Sequence, residues 1–168
     1  AATGLKTMIT PENLVALAVF VLANLAAASS GAIFRPGAWY AGLAKPPWTP
    51  PNWAFPVTWS VLFVLNAVAG WLVWLTGGAE AMGALVLYGV SLAINASWSG
   101  VFFGLRRMGL GFVIVVMLWL SIAAVMAAFA PINAVAAGML APYLAWVTIA
   151  SALNLRVWQL NPAASASV

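Results

Sequence analysis

Trp39-Tyr40-Ala41-Gly42-Leu43-Ala44-Lys45-Pro46-Pro47-Trp48-Thr49-Pro50-Pro51-Asn52-Trp53-Ala54-Phe55-Pro56-Val57-Thr58-Trp59 is the stretch around which the rest of the chain must be arranged. It holds four of the ten tryptophans and, with Pro36, six of the ten prolines, so its conformation is restricted and its side chains are unusually aromatic. Paired prolines fix φ, remove amide donors and push the preceding residue out of the helical region, so residues 45–51 are irregular and semi-rigid. Such a segment cannot cross a membrane. Trp and Tyr carry an apolar body with a polar edge, which suits a water boundary or a flat ligand. The stretch reads as a rigid aromatic lid.

On either side of it the chain is apolar. Of the 168 residues, 65% are hydrophobic and 5% charged, whereas a soluble domain carries about 25% charged residues. The solvent is therefore a bilayer. With no cysteine or histidine, disulfides, thiolate chemistry, zinc sites and His-based triads are excluded. The net charge of +4 comes from Lys6, Arg35, Lys45, Arg106, Arg107 and Arg156 against Glu12 and Glu80. Dispersed basic residues at helix ends are membrane anchors and make no nucleic-acid patch, so no nucleic-acid partner is expected.

A span needs about 20 mostly apolar residues, and five such runs are present: 10–34, 56–75, 80–105, 110–130 and 132–160, with the lid loop at 35–55. They predict a single all-α domain, a five-helix transmembrane bundle. Thr10-Pro11 is an N-cap followed by proline at the first helical position, Thr76-Gly77-Gly78 ends the second run, and Pro131 stops the fourth. Pro142 lies inside the fifth, where it predicts a kink. The tail after Pro162 is expected to be disordered. Residues 1–7 are set apart as an expected remnant of processing or cloning, and the first apolar run is too long for a signal peptide.

Five crossings put the termini on opposite sides. Arg35, Lys45, Arg106, Arg107 and Arg156 then share one side with the lid and the C-terminus, leaving Lys6, Glu12 and Glu80 on the other. The positive-inside rule places the lid in the cytoplasm of a bacterial cell membrane. In an outer membrane the rule carries less weight.

Helices two, three and five repeat one pattern: Trp59, Phe63, Asn66 and Gly70; Ser91, Asn95, Trp98 and Phe102; Tyr143, Trp146, Ala150 and Asn154. Steps of 3, 4 and 7 residues return to one helical face. An amide in hydrocarbon is costly and points into the bundle, drawing the aromatic rings on its face inward with it. Asn24 and Asn66 are assigned to bonds between helices. Asn95 and Asn154, beside Trp98 and Trp146, are assigned to a ligand, with helix bonding as the alternative. The lid adds Trp48 and Lys45 at the charged end of this aromatic cavity. Helix four, whose internal polar residue is Ser121, is assigned no site and is expected to meet mostly lipid. Gly89, Ala93 and Ser97 form a small-residue stripe on helix three, about 200° from Asn95 in steps of two residues, which fits either a homodimer interface or packing within the chain. No catalytic residue is assigned: the two carboxylates lie near helix ends without an acid-base partner, and no lysine lies within a span.

These features together resemble the translocator protein (TspO/MBR) family, whose bacterial members are called tryptophan-rich sensory proteins and whose animal members are the peripheral-type benzodiazepine receptors. The resemblance rests on the Trp/Pro stretch above, on Asn95-Ala96-Ser97-Trp98, on Phe102-Phe103-Gly104-Leu105-Arg106-Arg107-Met108-Gly109, and on Pro142-Tyr143-Leu144-Ala145-Trp146 with Leu153-Asn154. It implies five transmembrane helices, a homodimer, and a receptor for porphyrin and haem. Cholesterol and synthetic benzodiazepine-site ligands are added in animal members. No obligatory cofactor is implied. By matching motif, the family pocket includes Trp48, Phe55, Trp59, Asn95, Trp98, Trp146, Ala150 and Leu153. Periodicity reaches Trp59, Asn95, Trp98, Trp146 and Ala150 separately.

One departure stands out. The cholesterol motif of animal members has its central tyrosine where this chain has Leu155, so sterol transport is the weaker implication. Arg35 to Leu43 fits only the reversed and less specific form of that motif. Leu110 also replaces a tryptophan of the animal proteins. A tetrapyrrole receptor is therefore the leading expectation, with a light-dependent porphyrin-degrading enzyme and a sterol or lipid carrier as alternatives.

Overall fold

A computed structural model describes residues 8–166, and among them there are helices and no strand. Helix α1 covers Pro11–Ile33. Thr10 caps it from an extended conformation, its hydroxyl accepting from Asn13 N at 3.3 Å, and Pro11 follows at the first helical position, as the Thr-Pro pair predicts. The lid is not irregular throughout, because one helical turn, α2 (Ala38–Ala41), forms before the first proline pair. Its side chains pack inward: Tyr40 and Leu43 are buried against Phe102. That anchorage accounts for a helix too short to persist alone.

Helix α3 covers Ala54–Gly77 and α4 covers Ala81–Ser99. Together with the segment up to Gly104 they form one apolar stretch of 51 residues. Drawn straight it would be about 75 Å long, more than twice the ~30 Å hydrocarbon thickness. The stretch instead folds back at Gly78, whose φ of +52° suits glycine, and a 3₁₀ turn over Gly78–Glu80 leads into α4. With α3 packed on α4, the chain crosses five times.

After α4 the expected third helix changes form, widening into a π turn over Gly100–Gly104 before Arg106 breaks it at φ +56°. Helix α5 covers Met108–Phe129. The fifth predicted helix is two pieces. Asn133 caps α6 (Ala134–Met139), its side chain accepting from Ala136 N at 3.0 Å, and α7 (Ala141–Leu160) restarts after Leu140. Pro142 sits in the first turn of α7, where its missing amide has no intrahelical partner to lose, so a break replaces the expected kink. The expectation of a disordered tail also gives way, since Pro162 opens the short helix α8 (Pro162–Ala166). Residues 1–7, set apart above, lie outside the described residues.

Helix α5 departs from the role expected of it. It packs between α4 and α7 and buries Val115, Leu118, Ile122, Val125 and Phe129. Ser121 donates to Ser91 Oγ at 2.9 Å, tying α5 to α4. The helix that meets lipid most fully is α1, in which only Asn24 and Ala27 are buried.

The half of the bundle near Gly78 is solid. Tyr88 stacks on Phe129 with ring centroids 6.0 Å apart, and a Cβ added to Gly70 would lie 2.7 Å from the Phe20 ring, so α1 and α3 meet at glycine. A closed amide loop sits above that layer. Asn66 Nδ2 donates to Asn24 Oδ1 at 2.8 Å, Asn24 Nδ2 donates to Tyr88 Oη at 2.6 Å and to Phe20 O at 2.9 Å, and Tyr88 Oη donates to Asn66 O at 2.9 Å. The loop joins α1, α3 and α4, the helix-to-helix role assigned to Asn24 and Asn66. Toward the lid the bundle opens.

Candidate functional site

Between this amide loop and the lid lies a cavity of about 930 Å³, walled by α1, α3, α4, α5 and α7 and closed at one end by lid residues Pro36, Tyr40 and Asn52 and by Phe55 in the first turn of α3. Its rings come from the predicted faces. On α3, Trp59 and Phe63 lie 5.6 Å apart, and Trp59 also meets Tyr143 of α7 edge-on at 5.9 Å. On α4, Trp98 stacks on Phe102 at 5.1 Å. Trp146 of α7 takes the edge of Phe55 at 5.6 Å. Ala150, one turn beyond Trp146, leaves the wall recessed, and Leu153 continues it.

The polar groups among these rings serve to fix them. Trp98 Nε1 donates to Asn154 Oδ1 at 3.1 Å, while Asn154 Nδ2 donates to Met108 O at 2.9 Å, so one amide joins α4, α5 and α7. Asn95 Nδ2 donates to Tyr143 Oη, again from α4 to α7. Both asparagines line the cavity, but both are buried and their NH₂ groups are bonded within the protein. Asn95 and Asn154 therefore bridge helices, the alternative weighed for them, while still lining the cavity, because an amide in hydrocarbon takes the nearest partner when the bundle forms. One donor stands apart: the indole N–H of Trp146 is buried with no partner among the described residues.

Phe55, Trp59, Asn95, Trp98, Trp146, Ala150 and Leu153 thus share one cavity. Trp48 and Lys45 do not reach it. The Trp48 ring is 48% exposed on the outside of the lid. Lys45 Nζ folds back to donate to Ala41 O at 3.3 Å and Leu43 O at 3.0 Å, 4.6 Å above the Tyr40 ring. The reason is local, since the turn that ends α2 leaves carbonyls within reach of its own lysine. Phe102 lines the cavity from the Asn95 face to which periodicity assigned it, whereas sequence reasoning missed Arg35 and Tyr40 as lining residues. For Arg35 and Tyr40 the available signal was weaker, namely their position flanking the turn that closes the lid.

Beyond the packing of Tyr40 and Leu43 with Phe102, two further contacts hold the lid. Asn161, at the end of α7, accepts from Ala44 N and donates to Ala44 O, each at 2.9 Å. The Arg106 guanidinium lies 6.0 Å from the Trp39 ring. Burial pushes the Tyr40 phenol above its ordinary pKa. The side wall is less complete. Leu25 of α1 and Val64 of α3 line the cavity and are also 58% and 64% exposed, so the space opens between α1 and α3 toward the surface that faces lipid.

The small-residue stripe lies elsewhere. Gly89, Ala93 and Ser97 are exposed on α4, and no atom lies within 4 Å of a Cβ added to Gly89, so the stripe does not pack within the chain.

The profile of one protein family, TspO/MBR, matches residues 15–159. Protein CrtK of Rhodobacter capsulatus is 43% identical over 154 residues, covering 89% of this chain and 95% of its own length. The tryptophan-rich sensory protein of Cereibacter sphaeroides is 40% identical, with 84% and 89% covered. The human translocator protein is 38% identical, with 73% and 75% covered.

Proposed function

The chain belongs to the TspO/MBR family, and from that premise we propose that this integral membrane protein is a receptor for tetrapyrroles, porphyrin or haem, bound in the cavity beneath its lid. The observation that carries the reading is the shape and lining of that space. A volume of about 930 Å³ falls at the upper end of small-ligand pockets, roughly 300–1,000 Å³, and suits a large rigid ligand. Its walls offer ring faces and edges from Trp59, Trp98 and Trp146, the partners a flat π system requires. Trp98 is held by Asn154, Trp59 packs on Tyr143 and Trp146 on Phe55, so little side-chain entropy is lost on binding. The gap between α1 and α3 gives an apolar ligand a route from the bilayer.

Bacterial relatives are named for a sensory role and animal ones for translocation, and both names fit a protein that reports or moves a bound hydrophobic ligand. Cholesterol and synthetic ligands of the animal proteins are secondary candidates for the same cavity. Gly89, Ala93 and Ser97 form the face on which two copies meet, since a flat exposed stripe of small residues lets backbones approach. The cell membrane, lid inward, is the location that the basic residues favour.

Titration of protoporphyrin IX into the purified protein in lipid nanodiscs tests the reading through tryptophan quenching. Saturable quenching with one ligand per chain is the expected result. Non-saturable quenching that grows with lipid content would contradict it. Repeating the titration under illumination separates a receptor from a porphyrin-degrading enzyme, which would turn over many equivalents while its own tryptophans survive.

A further inference from the structure

We infer that Arg35 is the group that recognises an anionic substituent on the cavity's ligand, so that the protein selects amphiphiles carrying a carboxylate over their neutral counterparts; this rests on the tetrapyrrole reading above. Of the five basic residues among those described, Arg35 alone lines the cavity. Lys45 is turned back onto two carbonyls, Arg106 lies by Trp39, and Arg156 Nη1 donates to Gln159 Oε1 at 2.9 Å. Arg35 stands where α1 gives way to the lid, and Nε donates to Ala32 O at 2.6 Å. That bond holds the root of the guanidinium and leaves the two terminal NH₂ groups as a fork, the geometry that pairs with a carboxylate.

No acidic side chain competes for it. Glu12 and Glu80 are the only two in the chain, and both lie at the other end of the bundle, about 35 Å away by the length of α1. Among the described residues Arg35 is in no ion pair, and its neighbours Phe34, Pro36 and Tyr40 have no anionic group at neutral pH. The rest of the lining carries no charge, so one charge at the rim sets the ligand's orientation: apolar body toward Trp59 and Trp98, acidic edge toward the lid.

The test compares protoporphyrin IX with its dimethyl ester, which keeps the ring and removes the charge, on the wild type, Arg35→Gln and Arg35→Lys in neutral-lipid nanodiscs. The wild type should prefer the acid, and Arg35→Gln should weaken acid binding about tenfold, the scale of one charge-assisted pair, while ester binding stays unchanged. Arg35→Lys should keep part of the preference, since charge survives without the fork. If all three proteins bind acid and ester with the same ratio, the inference is overturned. If acid binding depends on Arg35 only when phosphatidylglycerol is present, the guanidinium holds a lipid headgroup and the inference is again overturned. Failure of both ligands to bind the wild type would instead remove the tetrapyrrole reading itself.

Discussion

Trp146 presents an unusual balance at the level of single residues. Its ring forms part of the cavity wall, yet its buried N–H has no partner among the described residues, a situation that costs about 1–3 kcal/mol. Trp146→Phe removes the orphan donor and keeps a ring, so thermal melting should hold steady or rise while porphyrin affinity falls modestly. A lowered melting temperature would mean that the N–H has a partner. The Asn24–Asn66–Tyr88 loop behaves oppositely, because every member has a partner across a helix boundary. Asn66→Ala leaves the Asn24 carbonyl without its donor and should lower stability by about 1–2 kcal/mol, read as earlier unfolding in detergent. Tyr40 supplies a pH effect. Its phenol is raised by burial above the ordinary value of 10.0, so lid closure is unaffected below that value and weakens as pH climbs through it toward the raised one. Alkaline loss of lid protection in the wild type, absent in Tyr40→Phe, is the expected signature.

Elements show where sequence reading succeeds and where it stops. Thr10-Pro11 marked the start of α1 because both signals act within one turn, and Gly77-Gly78 marked the fold-back because a positive φ needs glycine. The π turn at Gly100–Gly104, the helical turn Ala38–Ala41 and the placement of Pro142 were not legible. Each is decided by tertiary packing, as where Phe102 and Tyr40 bury themselves together, and local propensity carries no trace of it. The same limit explains the asparagines, since periodicity assigned Asn95 and Asn154 to the inner face but could not say whether Tyr143 and Met108 would reach them before a ligand did. Two predictions belong to this scale. Asn161→Ala removes the clamp on both backbone groups of Ala44, and hydrogen exchange across residues 38–46 should speed up about tenfold with the helices unchanged. Ala93→Leu should lower dimer content in detergent, at a cost of about 1 kcal/mol or more, whereas an unchanged dimer would move the interface to another helix.

Seen as a whole, the molecule is divided: a packed half below the amide loop, where Tyr88 and Phe129 stack, supports a hollow half beneath the lid. The packed half gives the five-helix frame its stability, so a change to the hollow half can alter binding without unfolding the chain. Five crossings also fix sidedness. Single cysteines at Ala79 and Ala163, introduced into a chain that has none, should label from opposite faces of the membrane, and labelling from one face would refute the topology. The central claim, that the cavity holds the ligand, turns on Ala150, whose small side chain leaves the wall recessed one turn from Trp146. The most direct measurement is a protoporphyrin IX titration of the wild type and Ala150→Leu, followed by tryptophan quenching, with melting temperature recorded alongside. Filling that recess should weaken binding at least tenfold at unchanged stability; an identical dissociation constant in the two proteins would put the ligand outside the cavity.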